Sequence, residues 1–203
     1  MYQVTIVHQN SDEVKQVIKG ADTAQLIADS LKKLMKDKPI EKIRIKDITD
    51  GAGLMRPTFY NHFEDKYQVV EYIFNHEVME PMLPLLNSGL VREAMVFMLT
   101  RMEENYDFYR HEINREGQNS FREILHSAFL QAFMPIFQQQ IIKPLHQMIT
   151  PLRMAEFCAN IFEYTLTKWL NEKEKIPVDT LMQLYDILLT NSIEDLLRGK
   201  RKE

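Results

Sequence analysis

The chain has one cysteine, Cys158, among 203 residues, so no internal disulfide is available. Its apolar helical surroundings make that cysteine a small buried filler rather than a reactive thiol. No apolar run approaches the roughly 18 uninterrupted residues a membrane-spanning helix needs. The N-terminus also lacks the basic flank, apolar centre and small-residue cleavage site of a secretory leader. A cytoplasmic protein with no membrane partner is expected. Chemistry is equally sparse. His8, His62, His76, His126 and His146 are scattered, and His111-Glu112 is not followed by a second histidine at helical spacing, so the zinc-protease pattern fails. Gly51-Ala52-Gly53 lacks a third glycine and follows a helix, not a strand, which excludes a dinucleotide-binding turn. The adjacent acids Glu103 and Glu104 cannot share a helix face. The expectation is no enzyme, no metal and no cofactor.

The chain does have ordinary globular composition, 45% hydrophobic and 27% charged, enough for one domain or two small ones. Net charge is −4, which argues against a uniformly basic coat for nucleic acid. The segment 32–46 departs from that average: Lys32, Lys33, Lys36, Lys38, Lys42, Arg44 and Lys46 face only Asp37 and Glu41, a local balance of +5. Alone, such a run is explained by a solvated helix face. Its neighbours suggest more. From Asp22 the pairs Leu26/Ile27, Ser30/Leu31 and Leu34/Met35 recur at helical spacing, and Pro39 ends the segment. Ile45, Ile48 and Ala52 give a short second helix, and two of only six glycines, Gly51 and Gly53, supply the turn after it. Pro57 suits the first turn of a third helix, whose Phe59 and Phe63, four apart, form one buried face.

Three helices in about 45 residues, the last two joined by a glycine-containing turn, follow helix-turn-helix grammar. With Phe59 and Phe63 turned inward, Arg56, Pro57, Thr58, Tyr60 and Asn61 face outward or sideways. Arg56 is then able to reach the O6 and N7 acceptors of guanine, and Thr58 and Tyr60 thymine methyls or phosphate oxygens. Lys46 and Lys66 are placed to grip phosphate on either side. A helical hairpin with an aromatic core and no DNA role is the alternative.

The stretch "IEKIRIKDITDGAGLMRPTFYNHFEDKYQVVEYI", residues 40–73, resembles the DNA-binding region of the tetracycline-repressor (TetR) family of bacterial transcription regulators. The resemblance rests on an Ile-x-x-Ile helix, an Ala-Gly-Leu turn and then Thr-Phe-Tyr-x-His-Phe-x-x-Lys. It implies base or backbone contacts from Lys46, Arg56, Pro57, Thr58 and Tyr60, and phosphate contacts from His62 and Lys66. Met55 and Arg56 stand where small or polar residues are common, and the first twenty residues are longer than usual. The segments "REGQNSFREIL" (115–125) and "TKWLNEKEKIPVDTLMQLY" (167–185) are similar to a C-terminal type found in regulators of dihydroxyacetone kinase operons.

The remaining pattern is helical throughout, over 65–86, 91–113, 120–148, 152–173 and 178–198, with Pro81, Pro84, Pro135 and Pro144 dividing or kinking it. An all-α fold is expected: an N-terminal arm (1–20), a three-helix DNA-binding domain (21–66) and a helical effector-binding and dimerisation domain (67–203). The last two helices carry the apolar positions Phe162, Trp169, Leu181, Leu184, Tyr185 and Leu188. These predict a four-helix interface between two copies, with the interior of a monomer as the alternative. Phe97, Met102, Tyr106, Tyr109, Phe121 and Phe133, interrupted by Gln118 and Asn119, suit either a core or a small-molecule cavity. The function expected is a homodimeric, ligand-responsive repressor on a palindromic double-stranded operator. The alternative is an activator whose C-terminal half binds a protein co-regulator.

Overall fold

The structure, a computed structural model, describes residues 22–115, 120–140 and 146–198. The arm expected over 1–20, Gln118, Asn119 and Pro144 lie outside the described residues. Every regular element among those described is helical, and no described helix is long and apolar enough to cross a membrane. The chain divides into two compact units, Met1–Phe74 and Asn75–Glu203.

In the first unit α1 covers the described residues 22–35. It stops ahead of Pro39 because the residue before a proline is barred from helical backbone angles and the proline has no N–H to donate. A 3-10 turn, Ile40–Lys42, leads to α2 (Ile45–Ala52), α3 (Arg56–Tyr60) and α4 (Lys66–Phe74). Ile27 and Leu31 of α1, Ile40, Ile43, Ile48, Phe59, Val69, Val70 and Ile73 are fully buried and make the core. A polar tie joins α1 to α2: Ser30 Oγ donates to the Ile48 carbonyl at 2.7 Å.

In the second unit a π-helical turn, Asn75–Met79, precedes α5 (Glu80–Asn87), α6 (Val91–Glu104), α7 (Tyr106–Ile113), α8 (Phe121–Gln140), α9 (Pro151–Asn171), α10 (Val178–Thr190) and α11 (Ile193–Leu197). Pro81 brings no N–H for the carbonyl four residues back, that of Glu77, and Arg101 Nε reaches this carbonyl at 3.5 Å. Two helices expected to be continuous are broken. The first breaks at Asn105, between α6 and α7. The second breaks at Asn191, after which the Ser192 hydroxyl accepts from the Asp195 N–H at 3.1 Å and the Asp195 carboxylate accepts from the Ser192 N–H at 3.4 Å. That reciprocal cap starts a new helix. The most extensive helix pair is α8 on α9, where Ala155 and Ala159, one turn apart, are fully buried. Phe162 stacks on Phe133 with ring centroids 5.3 Å apart and lies 6.3 Å from the Tyr185 ring, linking α8, α9 and α10. Glu112 is buried with Arg115 Nε at 3.0 Å and the exposed His111 Nδ1 at 3.3 Å.

Candidate nucleic-acid interface

The turn between α2 and α3 depends on two glycines for different reasons. Gly53 caps α2 at φ 67°, ψ 30°, a left-handed conformation that side chains with a Cβ resist. Gly51 is needed for space, because a Cβ there would run into Ser30 Oγ, the group that ties α1 to α2. Ahead of α2, the Asp47 carboxylate accepts from the Arg44 N–H at 3.0 Å and from Lys38 Nζ at 3.1 Å. The Arg44 bond first, and Lys38 second, hold its carboxyl below the usual carboxylate range.

Pro57 sits in the first turn of α3 and Phe59 is fully buried, which turns the other side of this helix to solvent. Met55 is 75% exposed and Tyr60 46%, while Arg56, Pro57 and Asn61 are exposed and Thr58 and His62 half-buried. Large apolar and aromatic surfaces are seldom left uncovered without a partner. Arg56 Nη2 donates to Tyr60 Oη at 3.1 Å with the guanidinium 5.6 Å from the ring centroid. Tyr60 in turn packs edge-on against Phe59, centroids 5.6 Å apart. The exposed Arg56 and Tyr60 side chains are therefore coupled to each other and to the core. Lys46 is exposed on α2, as are Lys33, Lys36, Lys42 and Arg44 nearby. The basic run divides by partner: Lys32 pairs with Asp29 at 3.3 Å and Lys38 with Asp47.

Lys66 lies elsewhere than its sequence position suggests. Its ammonium donates to the carbonyls of Ile40 at 2.7 Å, Ile43 at 2.9 Å and Glu41 at 3.2 Å, so it faces inward to the chain and away from the phosphate role expected of it. Sequence inspection also missed Met55, the most exposed apolar side chain of this face, and the Ser30 tie. Its signal was a serine in the apolar stripe of α1.

Among the described residues expected to line a pocket in the second unit, Phe97 and Phe133 border different spaces. Phe97 borders an open groove of about 590 Å³ along α6, lined also by Leu85 of α5 and by Arg92, Val96, Arg101 and Glu104. Phe133 borders a separate interior gap of about 10 Å³ among Met82, Met95, Met98, Phe129 and Phe162, room for about one water at most. Met102, Tyr106, Tyr109 and Phe121 are packed in the core. Tyr106 Oη donates to the Trp169 carbonyl at 3.3 Å, and the Tyr109 and Phe121 rings lie 5.4 Å apart. The expected interface residues divide similarly. Trp169, Leu181 and Tyr185 are buried within their own chain, the indole N–H donating to the Ile176 carbonyl at 2.9 Å. Burial pushes the Tyr185 phenol up to about 12. Phe162 is occupied by the aromatic stack. Leu184 and Leu188 are about half exposed, and α9 adds Phe157, 60% exposed, and Tyr164, 63% exposed. The Cys158 thiol is half-buried, and burial raises its pKa.

Comparison with known proteins agrees with the arrangement of the first unit. Residues 27–73 match the family described as bacterial regulatory proteins, tetR family. The dhaKLM operon transcriptional activator DhaS of Lactococcus lactis is 28% identical over 96 residues, 45% of this chain and 49% of that protein. The transcriptional regulator EthR of Mycobacterium tuberculosis is 31% identical over 115 residues, 56% of this chain and 47% of that protein. The chain thus spans about half the length of these two relatives. A solved structure of the dihydroxyacetone kinase operon activator DhaS superposes with a TM-score of 0.60 at 20% identity, over 89% of this chain and 98% of that one. At that identity the likeness speaks for the fold alone. The matched segment spans nearly all of α1 through α4, the helices that bury Phe59 and expose Arg56 and Tyr60, and over that segment the chain is similar to the tetR family of bacterial regulatory proteins.

Proposed function

We propose that the chain is a homodimeric, sequence-specific DNA-binding regulator whose first unit reads an operator half-site through α3 and whose second unit carries dimerisation and signal input. The observation that carries this reading is the α3 surface. Met55, Arg56 and Tyr60 are exposed on a helix fixed from beneath by fully buried Phe59, beside exposed Lys42, Arg44 and Lys46. Arg56 supplies a fork matching guanine O6 and N7 in the major groove, Met55 and Thr58 offer apolar contact to thymine methyls, and the lysines meet phosphate. His62 and Asn61 border the same surface. A helix of this size reads few base pairs, so two copies related by a two-fold axis, reading half-sites about 34 Å apart, give useful discrimination.

The exposed Phe157 and Tyr164 of α9, with half-buried Ile161 between them, together with Leu184 and Leu188 of α10, support a dimer made through these helices. They replace the buried Trp169, Leu181 and Tyr185 of the sequence expectation. A ligand that favours a head spacing other than the one the two half-sites require lowers DNA affinity, and DNA lowers ligand affinity by the same factor. Repression by occupying the operator needs no further activity. Activation through a protein co-regulator is the second reading, favoured by the similarity to an operon activator. Selection of duplexes from random-sequence DNA by the purified chain tests the function: a palindromic consensus supports it, and recovery of unrelated sequences overturns it. Native mass spectrometry separates the two inputs, since a retained small molecule favours ligand sensing and a co-purifying protein favours the activator.

A further inference from the structure

The ammonium of Lys66 has three protons, and three backbone carbonyls converge on it: Ile40 at 2.7 Å, Ile43 at 2.9 Å and Glu41 at 3.2 Å. All three belong to the connection between α1 and α2, more than twenty residues earlier in the chain. Lys66 itself is the first residue of α4. The start of that helix is already capped, because the Asp65 carboxylate accepts from the N–H groups of Tyr67 at 2.7 Å and Gln68 at 2.9 Å. The side chain is thereby released from the helix end and directed across to the 3-10 turn. There the carbonyl ends of Ile40–Lys42 present partial negative charge that a cation complements. The carbon stem is half-buried and the Tyr67 ring lies 5.6 Å from the ammonium.

This arrangement has a consequence for the residues between the carbonyls it grips and the start of α2. Lys42, Arg44 and Lys46 are exposed on that stretch and on the first turn of α2. These three cations in one short region repel one another, and Lys38 is paired away with Asp47. A backbone segment carrying such charge needs an anchor if its side chains are to meet phosphates at fixed spacing.

We propose that Lys66 is an internal latch, a positioning residue that closes the 40–43 segment onto the start of α4 and so holds Lys42, Arg44 and Lys46 in place, and that it makes no phosphate contact itself. The proposal rests on the DNA-binding reading above, but its structural half stands apart from it. Lysine is specific to the task. Its compact ammonium meets three convergent acceptors, whereas a planar guanidinium has donors in a fixed fork suited to phosphate or carboxylate.

The test uses the full chain with Lys66→Met, Lys66→Arg and, as a reference, Lys46→Met. Each is measured for the thermal midpoint of the first unit and for the slope of log K against log salt on the duplex recovered by selection with wild-type protein. The latch predicts that Lys66→Met and Lys66→Arg both lower the midpoint, by on the order of 4–8 °C, and both weaken binding to that duplex to the same extent, the charge kept by arginine rescuing neither property. Lys46→Met lowers the slope by about 0.9 and leaves the midpoint alone. A slope reduced by about 0.9 in Lys66→Met and restored in Lys66→Arg overturns the latch, because charge alone then suffices. If the wild-type chain selects no duplex, the DNA reading fails separately, and wild-type midpoints in both Lys66 variants overturn the latch on their own.

Discussion

The two units solve opposite problems with the same element, the α-helix. The first is cross-tied. Ser30 bonds to the Ile48 carbonyl, Asp47 to the Arg44 N–H, and Lys66 to three carbonyls, and its core is isoleucine, valine and phenylalanine in a tight arrangement. The second is larger, with a core rich in methionine and aromatic rings, and it retains an interior gap among Met82, Met95, Met98 and three phenylalanines. Branched and aromatic side chains fix a surface, while unbranched methionines let a core repack. A surface that reads base edges benefits from the first property and a surface that answers a signal from the second.

The comparison breaks most readily at the cores. Phe59→Ala removes the support of α3 and is expected to cost about 3–5 kcal/mol, enough to unfold the first unit. Met98→Ala, bordering a gap where neighbouring methionines move in, is expected near the lower end of its class, about 2 kcal/mol. The only tryptophan, Trp169, lies in the second unit, so its fluorescence follows that unit while circular dichroism follows both. Chemical unfolding by the two signals should separate in Phe59→Ala and coincide more closely in Met98→Ala. Equal costs would erase the distinction between a tight and an adaptable core.

Next in size is the α9 and α10 surface. Phe157→Glu with Leu188→Glu places charge on the exposed apolar stripe without touching the buried Trp169 or Tyr185. Sedimentation at micromolar concentration is expected to show a monomer, with operator affinity lower by about a hundredfold or more once a second half-site no longer adds binding. A double variant that remains a dimer would move the interface elsewhere.

How far these features were legible from sequence differs between the units for a physical reason. In the first unit, function and local structure coincide in a few residues: Pro57 starts a helix, Phe59 and Phe63 fix its buried side, and Arg56 and Tyr60 follow as exposed by periodicity alone. In the second unit periodicity correctly gave an all-α fold, although it ran α6 into α7 and α10 into α11, but apolar positions have several available partners. Trp169 and Tyr185 turned to their own chain, while Phe157 and Tyr164, equally apolar in the pattern, turned to solvent. Helical spacing tells which residues share a face but not what covers it. Lys66 shows the same limit for charge, since three carbonyls distant in sequence carry no side-chain signature. The break at Asn191, by contrast, was written in Ser192 and Asp195, a serine with an acid three residues on.

A smaller effect sharpens the account of the reading surface. Arg56→Ala is expected to reduce the preference for operator over random duplex by roughly 1–3 kcal/mol. Tyr60→Phe keeps the ring and its contact with Phe59 but removes the hydroxyl that accepts from Arg56. If the pair acts together, the double variant should lose less than the sum of the single losses. Full additivity in competition binding would mean that Arg56 and Tyr60 read DNA independently.

The smallest expected effect is a pH dependence at the entrance to α2. Asp47 has a carboxyl pKa held below its ordinary 3.8 by the Arg44 N–H first and by Lys38 second. A carboxylate with a depressed folded-state pKa binds its proton more readily in the unfolded chain. Its contribution to stability is therefore fully present above the unfolded value, about 3.9, and is lost as pH falls through the lower folded value. Asp47→Asn removes the charge and with it that dependence, so the wild-type and variant stabilities of the first unit should converge as pH falls below about 3.9 and differ by a constant amount at neutral pH. Because the side chain is partly open to solvent, the difference should shrink in high salt. A gap that persists unchanged at low pH would mean that the variant disturbs the Arg44 turn through shape, and that the carboxylate charge is not what holds the start of α2.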